Sequence, residues 1–459
     1  MSAPEGRPAH EPGEVLWTSA ELRAATGGSL AAEVAVARIG FDSRQMRPGD
    51  LFVALKAARD GHDFVPDAFA SGAAAVLVAH GQDPRCLTVP DTLAALHALG
   101  RAARARTRGK IVAVTGSVGK TTTKDMLRLA LGAFGPTHAA AASFNNHIGV
   151  PTTLANMPRE ARFAAIELGM NNRGEIAPLS GLARPHVAII TTIGTAHLGR
   201  LGSQDAIAAE KGDILLGLEP GGTAILPADS AYFPVLRARA GRVLSFGMAQ
   251  GADFRLEDHV AGASDGQARI ATPQGPLELA LAAPGRHLAE NACAVLAAIH
   301  ALGLDIAPAA RALQEFGAGA GRGQRRMIAL PGGTALLLDE SYNASGASVL
   351  AALSVLKAQP GRRVAILGDM LELGGHGPAM HLSLGAAVAA SADLVHTVGP
   401  LMGAMLGTLP PGQRGHATAD SMTLAPLARD TLRAGDAVLV KGSLGMRMAT
   451  IIHALDTPP

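Results

Sequence analysis

The chain has 459 residues, of which 48% are hydrophobic and 17% charged, and its formal net charge is +2. A chain of this length exceeds one ordinary domain, so we expect several domains, each with its own apolar core. The nearly balanced charge, without a basic tract, argues against nucleic acid as a partner. The two cysteines lie far apart in the sequence and offer neither a disulfide framework nor a zinc pattern.

The sequence shows no segment that would direct the chain into a membrane. The first 14 residues, MSAPEGRPAHEPGE, have no basic stretch followed by an apolar core, so they do not resemble a secretory signal. The longest apolar run, ACAVLAAIHALGL, is too short to span a bilayer. We therefore expect a cytoplasmic protein without membrane insertion, and we expect it to be a monomer.

Three blocks with alternating strand and helix patterns follow one another along the chain. The first block contains the strand candidate AAAVLV and the helix candidate DTLAALHALGRAARAR, and the second begins with the strand KIVAVTG. The third begins with GAGAGRGQRR, which we interpret as a hinge or linker. The pattern predicts an α/β fold with three domains: residues 1–107, a central P-loop ATPase-like parallel sheet in 108–316, and a Rossmann-like C-terminal domain in 317–459.

Strand candidates in the second and third blocks are continuous apolar runs, such as IVAVTG, HVAIITT and RVAILGD. Strands of this kind are buried on both faces of parallel sheets. Seven of them end in a polar residue, namely Thr115, Glu167, Thr192, Asp229, Asp339, Asp369 and Lys441. Because ligands of doubly wound sheets bind at the carboxyl edge, the pattern predicts two facing active edges.

The stretch TGSVGKTTTKDML follows a buried strand directly and opens a helix. Gly116 and Gly119 would let backbone N–H groups face a phosphate at the helix N-terminus. Lys120 would neutralise phosphate oxygens, and Thr121 would place its hydroxyl on Mg²⁺. Val114 stands where the common P-loop has its first glycine, and the guanine motif Asn-Lys-x-Asp is missing from the sequence. We therefore predict ATP rather than GTP as the nucleotide.

Three further residues are ambiguous on spacing alone. Glu167 ends a buried strand, where Mg²⁺ would relieve the cost of a buried carboxylate, but a helix-capping or ion-paired glutamate is an alternative. His197 follows another strand end, and a lone histidine is more often structural. Lys211 lies on a helix between Glu210 and Asp213, which favours an ordinary solvated lysine.

A series of motifs occurs in one order along the chain: TGSVGKTTTKDML, NNHIGVPTTL, ELGMNNRGEI, GTAHLGRLGS, GRHLAENACAVLAA, DESYNASGASVLAAL, GDMLELG and VLVKGSLGMRM. Together with DSRQMRPGDLFVAL and DGHDF near the N-terminus, this series resembles the Mur ligase family over essentially the whole chain. The resemblance implies an ATP-dependent carbon–nitrogen ligase of peptidoglycan synthesis and cell wall biogenesis. The ELGMN, SYNA and GDMLELG versions resemble the branch that joins D-alanyl-D-alanine to UDP-N-acetylmuramoyl-tripeptide.

The resemblance implies amide formation in two steps. ATP phosphorylates the terminal carboxylate of the peptide, and the amino group of D-alanyl-D-alanine then attacks the acyl phosphate. The implied catalytic residues are Lys120, His197 and Lys211, the last of them carbamylated and therefore anionic. The implied cofactors are ATP and Mg²⁺, because a carboxylate must attack a phosphoryl group that already bears negative charge.

The resemblance also assigns binding residues position by position, with a uridine-nucleotide-binding N-terminal domain. The nucleotide would be held by Thr115, Gly116, Ser117, Val118, Gly119, Lys120, Thr121, Thr122, Asn291, Arg322, Asp339 and Glu340. The metal would be held by Thr121, Glu167, His197 and Lys211. The nucleotide-sugar peptide and the dipeptide would meet Ser43, Arg44, Asn145, Asn146, Thr152, Tyr342 and Asn343.

The chain departs from the family pattern at three places. Asp339 and Glu340 precede SYNASG where two aspartates are usual, so the acid that contacts the nucleotide stays open. LPADS replaces an Asn-Ala-Asp-Asp pattern, and Leu444 stands where a basic residue is common. A sibling enzyme, such as another Mur ligase or a folylpolyglutamate synthase-like ligase, stays open as an alternative, as does a P-loop ATPase switch. The third residue of the tripeptide, meso-diaminopimelate or lysine, is also open.

Overall fold

The computed structural model describes residues 15–456, so the first 14 residues, for which we predicted no secretory signal, lie outside it. Three α/β bodies follow one another along the chain, each built on its own sheet. The predicted α/β fold with three domains is confirmed. The boundaries after residues 107 and 316 stay predictions, and both fall between regular elements.

The N-terminal body is a small parallel sheet with helices against it. Its strands are β1 (Trp17–Thr18), β2 (Ala35–Val36), β3 (Arg38–Gly40), β4 (Asp50–Val53), β5 (Ala75–Val78) and β6 (Cys86–Thr88), and its helices are α1 (Ser19–Thr26), α2 (Val65–Ala70) and α3 (Thr92–Arg106). The four strands β3-β4-β5-β6 pair in parallel, and β1 and β2 form a separate antiparallel ribbon.

The central body is a nine-stranded sheet between two layers of helices. Its strands are β7 (Lys110–Thr115), β8 (Thr137–Ala139), β9 (Phe163–Glu167), β10 (Val187–Ile190), β11 (Thr223–Pro227), β12 (Arg242–Gly247), β13 (Phe254–Ala261), β14 (Gly266–Thr272) and β15 (Gly275–Leu281). Its helices are α4 (Lys120–Gly132), α5 (Gly149–Ala155), α6 (Ile176–Ala183), α7 (Leu198–Leu201), α8 (Gln204–Gly212), α9 (Phe233–Arg237), α10 (Arg286–Ala301) and α11 (Ile306–Leu313).

The strand order of the central sheet is β15-β14-β13-β12-β11-β10-β7-β9-β8. All pairs from β8 to β13 are parallel, as predicted, because continuous apolar strands such as β7 and β10 bury one face in each of two cores. The strands β13, β14 and β15 pair antiparallel and extend the sheet beyond the prediction. Their buried and exposed residues alternate, which is typical of a sheet with one solvated face.

The C-terminal body is a six-stranded sheet. Its strands are β16 (Gln324–Leu330), β17 (Gly333–Glu340), β18 (Arg363–Gly368), β19 (Leu394–Val398), β20 (Arg414–Thr418) and β21 (Ala437–Lys441), and its helices are α12 (Gly346–Lys357), α13 (Gly377–Leu382), α14 (Gly385–Ala389), α15 (Pro400–Leu406), α16 (Ser421–Thr431) and α17 (Ala449–Asp456). The order is β16-β17-β21-β18-β19-β20, with only β16 antiparallel to its neighbour. The prediction of a linker over all of 317–326 is wrong at its end, because β16 begins at Gln324 and pairs with β17.

The carboxyl edges of the central and C-terminal sheets face one another. The segment after β10 meets the segment after β18 where the Gly199 N–H donates to the Glu372 carbonyl at 2.9 Å. The central body also holds the N-terminal body, because the Asn156 side chain exchanges two hydrogen bonds with the Ile39 backbone (2.7 and 2.8 Å). Within residues 15–456, every helix is too short or too polar to cross a bilayer.

Candidate active site

The predicted phosphate loop joins β7 to α4. Gly119 has a left-handed φ of 88° immediately before α4 begins at Lys120. A Cβ atom at Gly119 would lie 2.9 Å from Oδ1 of Asn291, so α10 presses that side chain against the loop. The structure therefore brings Asn291 to the loop, as predicted. Thr115 is fully buried at the end of β7, and Thr122 lies in the first turn of α4.

Several hydrogen bonds tie the loop to the segment that follows β10. The Ser117 N–H donates to the Thr192 carbonyl at 2.9 Å, and the Val118 N–H donates to Thr192 Oγ1 at 3.0 Å. In return, Thr191 Oγ1 donates to the Val118 carbonyl at 2.6 Å, and the Gly194 N–H donates to Ser117 Oγ at 2.8 Å. These bonds hold the loop in shape before any ligand arrives.

Lys120 is the cation at the centre of the cleft. Its Nζ donates to the Gly116 carbonyl at 2.8 Å, so the side chain folds back over the loop. Burial lowers the pKa of Lys120, the Glu167 carboxylate opposes that shift, and the Arg322 guanidinium adds to it. A phosphate bound between Lys120 and Arg322 would reverse the shift, because it supplies the negative charge that two cations require.

Glu167 at the end of β9 is the centre of a compact hydrogen-bond network. Its Oε2 accepts from Thr121 Oγ1 at 2.8 Å, and its Oε1 accepts from Ser143 Oγ at 2.8 Å and from Asn145 Nδ2 at 2.7 Å. The alternative of a helix-capping or ion-paired glutamate is wrong, because these partners are neutral side chains. Sequence reasoning missed Ser143, whose only signal is its position two residues before Asn145.

This network fits a magnesium ion. A carboxylate and two hydroxyls, from Glu167, Thr121 and Ser143, are hard oxygen donors of the kind that Mg²⁺ prefers. Among residues 15–456, no three histidine, cysteine or acidic side chains form a metal cage. Mg²⁺ is usually held by one or two carboxylates and completed by phosphate and water, which this donor set allows.

Lys211 is buried, with 1% of its surface exposed, so the expectation of a solvated lysine is wrong. The Glu210 carboxylate is occupied by the three N–H groups of residues 174–176, at 2.7 to 2.9 Å, and Asp213 pairs with an arginine. Burial lowers the pKa of Lys211 well below its ordinary value, and Lys120 adds to that effect while Glu210 opposes it. Burial therefore disfavours the charged form of this amine.

His197 follows β10 in a left-handed conformation, with φ 65°. Its Nδ1 lies 2.6 Å from Oε2 of Glu372, so the ring and the carboxylate are in direct contact. Burial lowers the pKa of His197; Glu372 opposes the shift, and Lys120 and Lys211 add to it. His197 therefore lies close enough to Lys120 and Lys211 for their charges to lower its pKa, and Glu372 is a contact that sequence reasoning did not assign.

A small cavity lies between the start of α10 and the C-terminal body. His287, Arg322 and Glu340 are among the residues that line it. The Arg322 guanidinium stacks on the Tyr342 ring, with Cζ 3.8 Å from the ring centroid, which fixes the orientation of its donors. The cavity thus lies beside the phosphate loop, at a distance over which Arg322 influences Lys120.

Asp339 and Glu340, between which the sequence did not decide, have different surroundings. The Asp339 carboxylate is buried and accepts from the Gly321 N–H at 3.1 Å, the Ser341 N–H at 3.1 Å and Ser341 Oγ at 2.6 Å. Glu340 lines the cavity and lies 3.3 Å from Lys441 Nζ. Asp339 therefore fixes the backbone on both sides of β17, whereas Glu340 is the acid that a ligand in the cavity can reach.

The residues predicted to bind the nucleotide-sugar lie near the central site. Ser43 is buried, and Arg44 is exposed and paired with Asp42 at 2.8 Å. The neighbouring Phe41 contacts Phe144, with ring centroids 5.8 Å apart, so the Ser43–Arg44 turn adjoins the segment that carries Ser143 and Asn145. The N-terminal body therefore contacts the segment that contributes to the Glu167 network.

Three of the predicted substrate residues use their side chains locally. Asn146 Oδ1 accepts from two N–H groups at the start of α5, and Thr152 Oγ1 donates to the Ile148 carbonyl at 2.7 Å within that helix. Asn343 Oδ1 accepts from the following N–H, and its carbonyl accepts from Lys441 Nζ at 3.0 Å. Their side chains therefore bond within the protein itself, and Leu444, the departure noted above, is exposed.

Comparison with known proteins identifies the family. The profile of the Mur ligase family catalytic domain matches residues 35–105, that of the Mur ligase middle domain matches 114–299, and that of the Mur ligase glutamate ligase domain matches 321–444. A UDP-N-acetylmuramoyl-tripeptide--D-alanyl-D-alanine ligase of Synechocystis is 36% identical over 451 residues, covering 93% of each chain.

Solved structures give the same result. The crystal structure of MurF from Acinetobacter baumannii is 32% identical with a TM-score of 0.85, covering 97% of this chain and 99% of that one. MurF from Thermotoga maritima in complex with ADP is 26% identical with a TM-score of 0.78, covering 92% and 97%. With its fold and its sequence in agreement with these relatives over nearly the whole length, the chain belongs to the Mur ligase family.

Proposed function

We propose that the chain is an ATP-dependent ligase that joins D-alanyl-D-alanine to UDP-N-acetylmuramoyl-tripeptide and so makes the pentapeptide precursor of peptidoglycan. One observation supports the proposal most directly: the phosphate loop is hydrogen-bonded to the Glu167 network, and the C-terminal body contacts the same carboxyl edge of the central sheet. The names of relatives that match over nearly the full length support the choice of substrates.

In the first step, the peptide carboxylate attacks the terminal phosphorus of ATP, the bond to ADP breaks, and an acyl phosphate forms. Lys120 and Arg322 neutralise the phosphate oxygens, and the loop N–H groups at the start of α4 orient them. The nucleoside would occupy the cavity beside Arg322, with Glu340 as the acid that accepts hydrogen bonds from it. The residues thus supply positioning and charge, which is most of what phosphoryl transfer needs.

The proposal includes Mg²⁺ at Glu167 and Thr121, where the ion would neutralise charge on the transferred phosphate. His197 and Lys211 are the further members of the implied metal set. A neutral Lys211 amine reacts with CO₂ to give a carbamate and one proton, which converts a repelled cation into an anionic oxygen ligand. If a Lys211→Ala variant regains no activity with added small carboxylic acids, and intact-mass data show no CO₂ adduct on the wild-type chain, the carbamate is rejected.

In the second step, the amino group of D-alanyl-D-alanine attacks the acyl carbon, the amide bond forms, and inorganic phosphate leaves with its oxygen. The dipeptide would approach from the C-terminal body, past Tyr342, Asn343 and the loop 368–374 that follows β18. The nucleotide-sugar would extend from the Glu167 network toward the Ser43–Arg44 turn. We further propose a cytoplasmic monomer, which light scattering on the purified chain tests.

The test of the function is phosphate release from ATP with UDP-N-acetylmuramoyl-tripeptide, with and without D-alanyl-D-alanine, followed by the mass of the nucleotide product. We expect turnover only with both substrates and a mass gain equal to the dipeptide less water. Turnover with single amino acids instead would move the chain to a sibling ligase. A rate of phosphate release that does not depend on which acceptor is added would indicate an ATPase switch. Parallel assays with lysine and meso-diaminopimelate tripeptides identify the preferred third residue.

A further inference from the structure

Two residues in the left-handed region contact each other across the cleft. His197 follows β10 of the central body and Glu372 follows β18 of the C-terminal body, and both have a φ of 65°. Left-handed conformations are unfavourable for residues with a side chain and persist where the surroundings enforce them. His197 Nδ1 lies 2.6 Å from Glu372 Oε2, so the two strained residues meet at the point where the sheet edges face one another.

The backbones of the two segments approach more closely than side chains would permit. The Gly199 N–H donates to the Glu372 carbonyl at 2.9 Å. A Cβ atom on Gly199 would lie 2.6 Å from the Gly374 nitrogen and 3.0 Å from its Cα. Gly199 is in α7 and has an ordinary helical conformation. Its own backbone would therefore accept a side chain, and it is the contact with the C-terminal body that leaves no room for one.

A third contact between the two bodies involves Arg200 and Glu372. Arg200 lies 3.4 Å from the second carboxylate oxygen of Glu372, so His197 and Arg200 approach the two sides of one carboxylate. Glu372 is therefore joined to the central body by its backbone carbonyl and by both carboxylate oxygens. No other predicted role uses this side chain, although the GDMLELG motif contains it.

We propose that these contacts form a closing latch, in which Glu372 is a positioning residue for His197 and the Gly199–Gly374 approach lets the bodies close fully. The latch rests on the proposed function, since its purpose is to complete the cleft once the substrates are bound. Closure brings the Glu372 carboxylate to the His197 ring and holds the ring in one orientation. The loop expected to meet the dipeptide thereby controls the geometry on the phosphate side of the cleft.

The first test is a Gly199→Ala variant of the full chain. The added methyl group is compatible with α7 but collides with Gly374, so it penalises only the closed arrangement. We expect kcat to fall about 100-fold, because small displacements of reacting groups have costs of that size. Small-angle scattering should show that the variant no longer contracts when ATP and the tripeptide substrate are added. The midpoint of thermal unfolding without ligands should not change.

The matched control is Gly181→Ala, an exposed helical glycine in the same body where an added Cβ meets nothing within 4 Å. This variant should contract and turn over as the wild type does. A Gly199→Ala variant that contracts and turns over like the control contradicts the latch.

The second test is Glu372→Gln, which keeps the shape of the side chain but removes its charge. We expect kcat to fall about 10-fold, because the His197 ring loses the carboxylate that orients it. KM for ATP and ligand-induced contraction should stay unchanged, because the close contact between Gly199 and Gly374 is still present. Glu278→Gln is the matched control, since it also removes an exposed carboxylate paired with an arginine, at 2.9 Å. If Glu372→Gln has the kcat of this control, Glu372 is not a positioning residue.

The two proposals fail in different ways. If the wild-type chain does not join the dipeptide to the tripeptide, the proposed function is wrong. The latch can still be tested in that case, by measuring whether Gly199→Ala and Gly181→Ala contract equally when ATP alone is added. If the wild type turns over and the Gly199 and Glu372 variants match their controls, the function stands and the latch is wrong.

Discussion

Thr121 donates its hydroxyl hydrogen bond to Oε2 of Glu167 at 2.8 Å, which joins the phosphate loop to the end of the neighbouring strand. The pairing of β7 with β9 produces this contact, because Val114 lies opposite Glu167 in the register. The loop therefore begins one residue after Val114, the residue of β7 that pairs with Glu167 of β9. Sheet topology, and not the loop alone, places a magnesium-type oxygen donor set beside the phosphate site.

A Glu167→Gln variant tests the charge of this network. The amide keeps the volume of the side chain and can still accept from Thr121, but it cannot neutralise a cation. We expect kcat for phosphate release to fall at least about 100-fold, with a similar midpoint of thermal unfolding, because charge at the transferred phosphate supplies much of phosphoryl-transfer catalysis. The rate is measured over a magnesium titration. A variant that reaches the wild-type rate at high magnesium would instead assign Glu167 to metal affinity alone.

A Gly119→Ala variant tests the geometry of the phosphate loop. The new side chain meets two obstacles: a φ of 88° that disfavours any Cβ, and Asn291 Oδ1 at 2.9 Å. We expect ATP affinity, measured by calorimetry, to fall about 100-fold, since the loop N–H groups turn away from the phosphates. Gly132→Ala at the other end of α4 is the control, because nothing lies within 4 Å there. Equal affinities in the two variants would contradict the assignment of the loop.

Paired amide variants separate the two acids before Ser341. Asp339→Asn loses a buried carboxylate that accepts three hydrogen bonds, so we expect it to lower the free energy of unfolding by about 2 kcal/mol. Glu340→Gln should leave stability nearly unchanged but raise KM for ATP about 10-fold, because this acid lines the cavity. Denaturant unfolding and initial rates are measured for both. The reverse pattern would assign the nucleotide to Asp339.

The sequence was sufficient for the elements that a local pattern determines. The continuous apolar runs predicted the parallel strands β7, β10 and β18, and the Gly-Lys-Thr stretch predicted the turn into α4. Contacts between distant segments have no local signature, which is why Ser143 and Glu372 were not assigned. The prediction that Lys211 is solvated was wrong for a related reason. Its acidic neighbours in the sequence favoured an exposed side chain, but whether a helix face is covered depends on what the rest of the chain packs against it.

His396 on β19 predicts how acid destabilises the C-terminal body. This fully buried ring lies 3.1 Å from Thr431 Oγ1 through Nε2 and accepts from the His416 N–H through Nδ1 at 3.0 Å, so it is held neutral. Burial, with smaller contributions from His416 and Arg362, lowers the pKa of His396 to about 4 from an ordinary value of 6.5. Between those two values the unfolded chain binds a proton that the folded chain does not, so stability falls as the pH drops from about 6.5 to about 4.

The loss from this one group is up to about 3 kcal/mol, since each pKa unit corresponds to about 1.4 kcal/mol. We expect a His396→Gln variant to be less stable than the wild type at about pH 7, because it loses a buried hydrogen-bond arrangement. The difference in stability between the two chains should narrow by up to about 3 kcal/mol near pH 4. There the wild-type ring binds a proton on unfolding, which lowers the stability of the wild type only. Denaturant unfolding of both chains across this range measures the gap, and the exposed His376→Gln serves as control. A gap that stays constant with pH, as we expect for the control, would show that His396 is not held neutral by its surroundings.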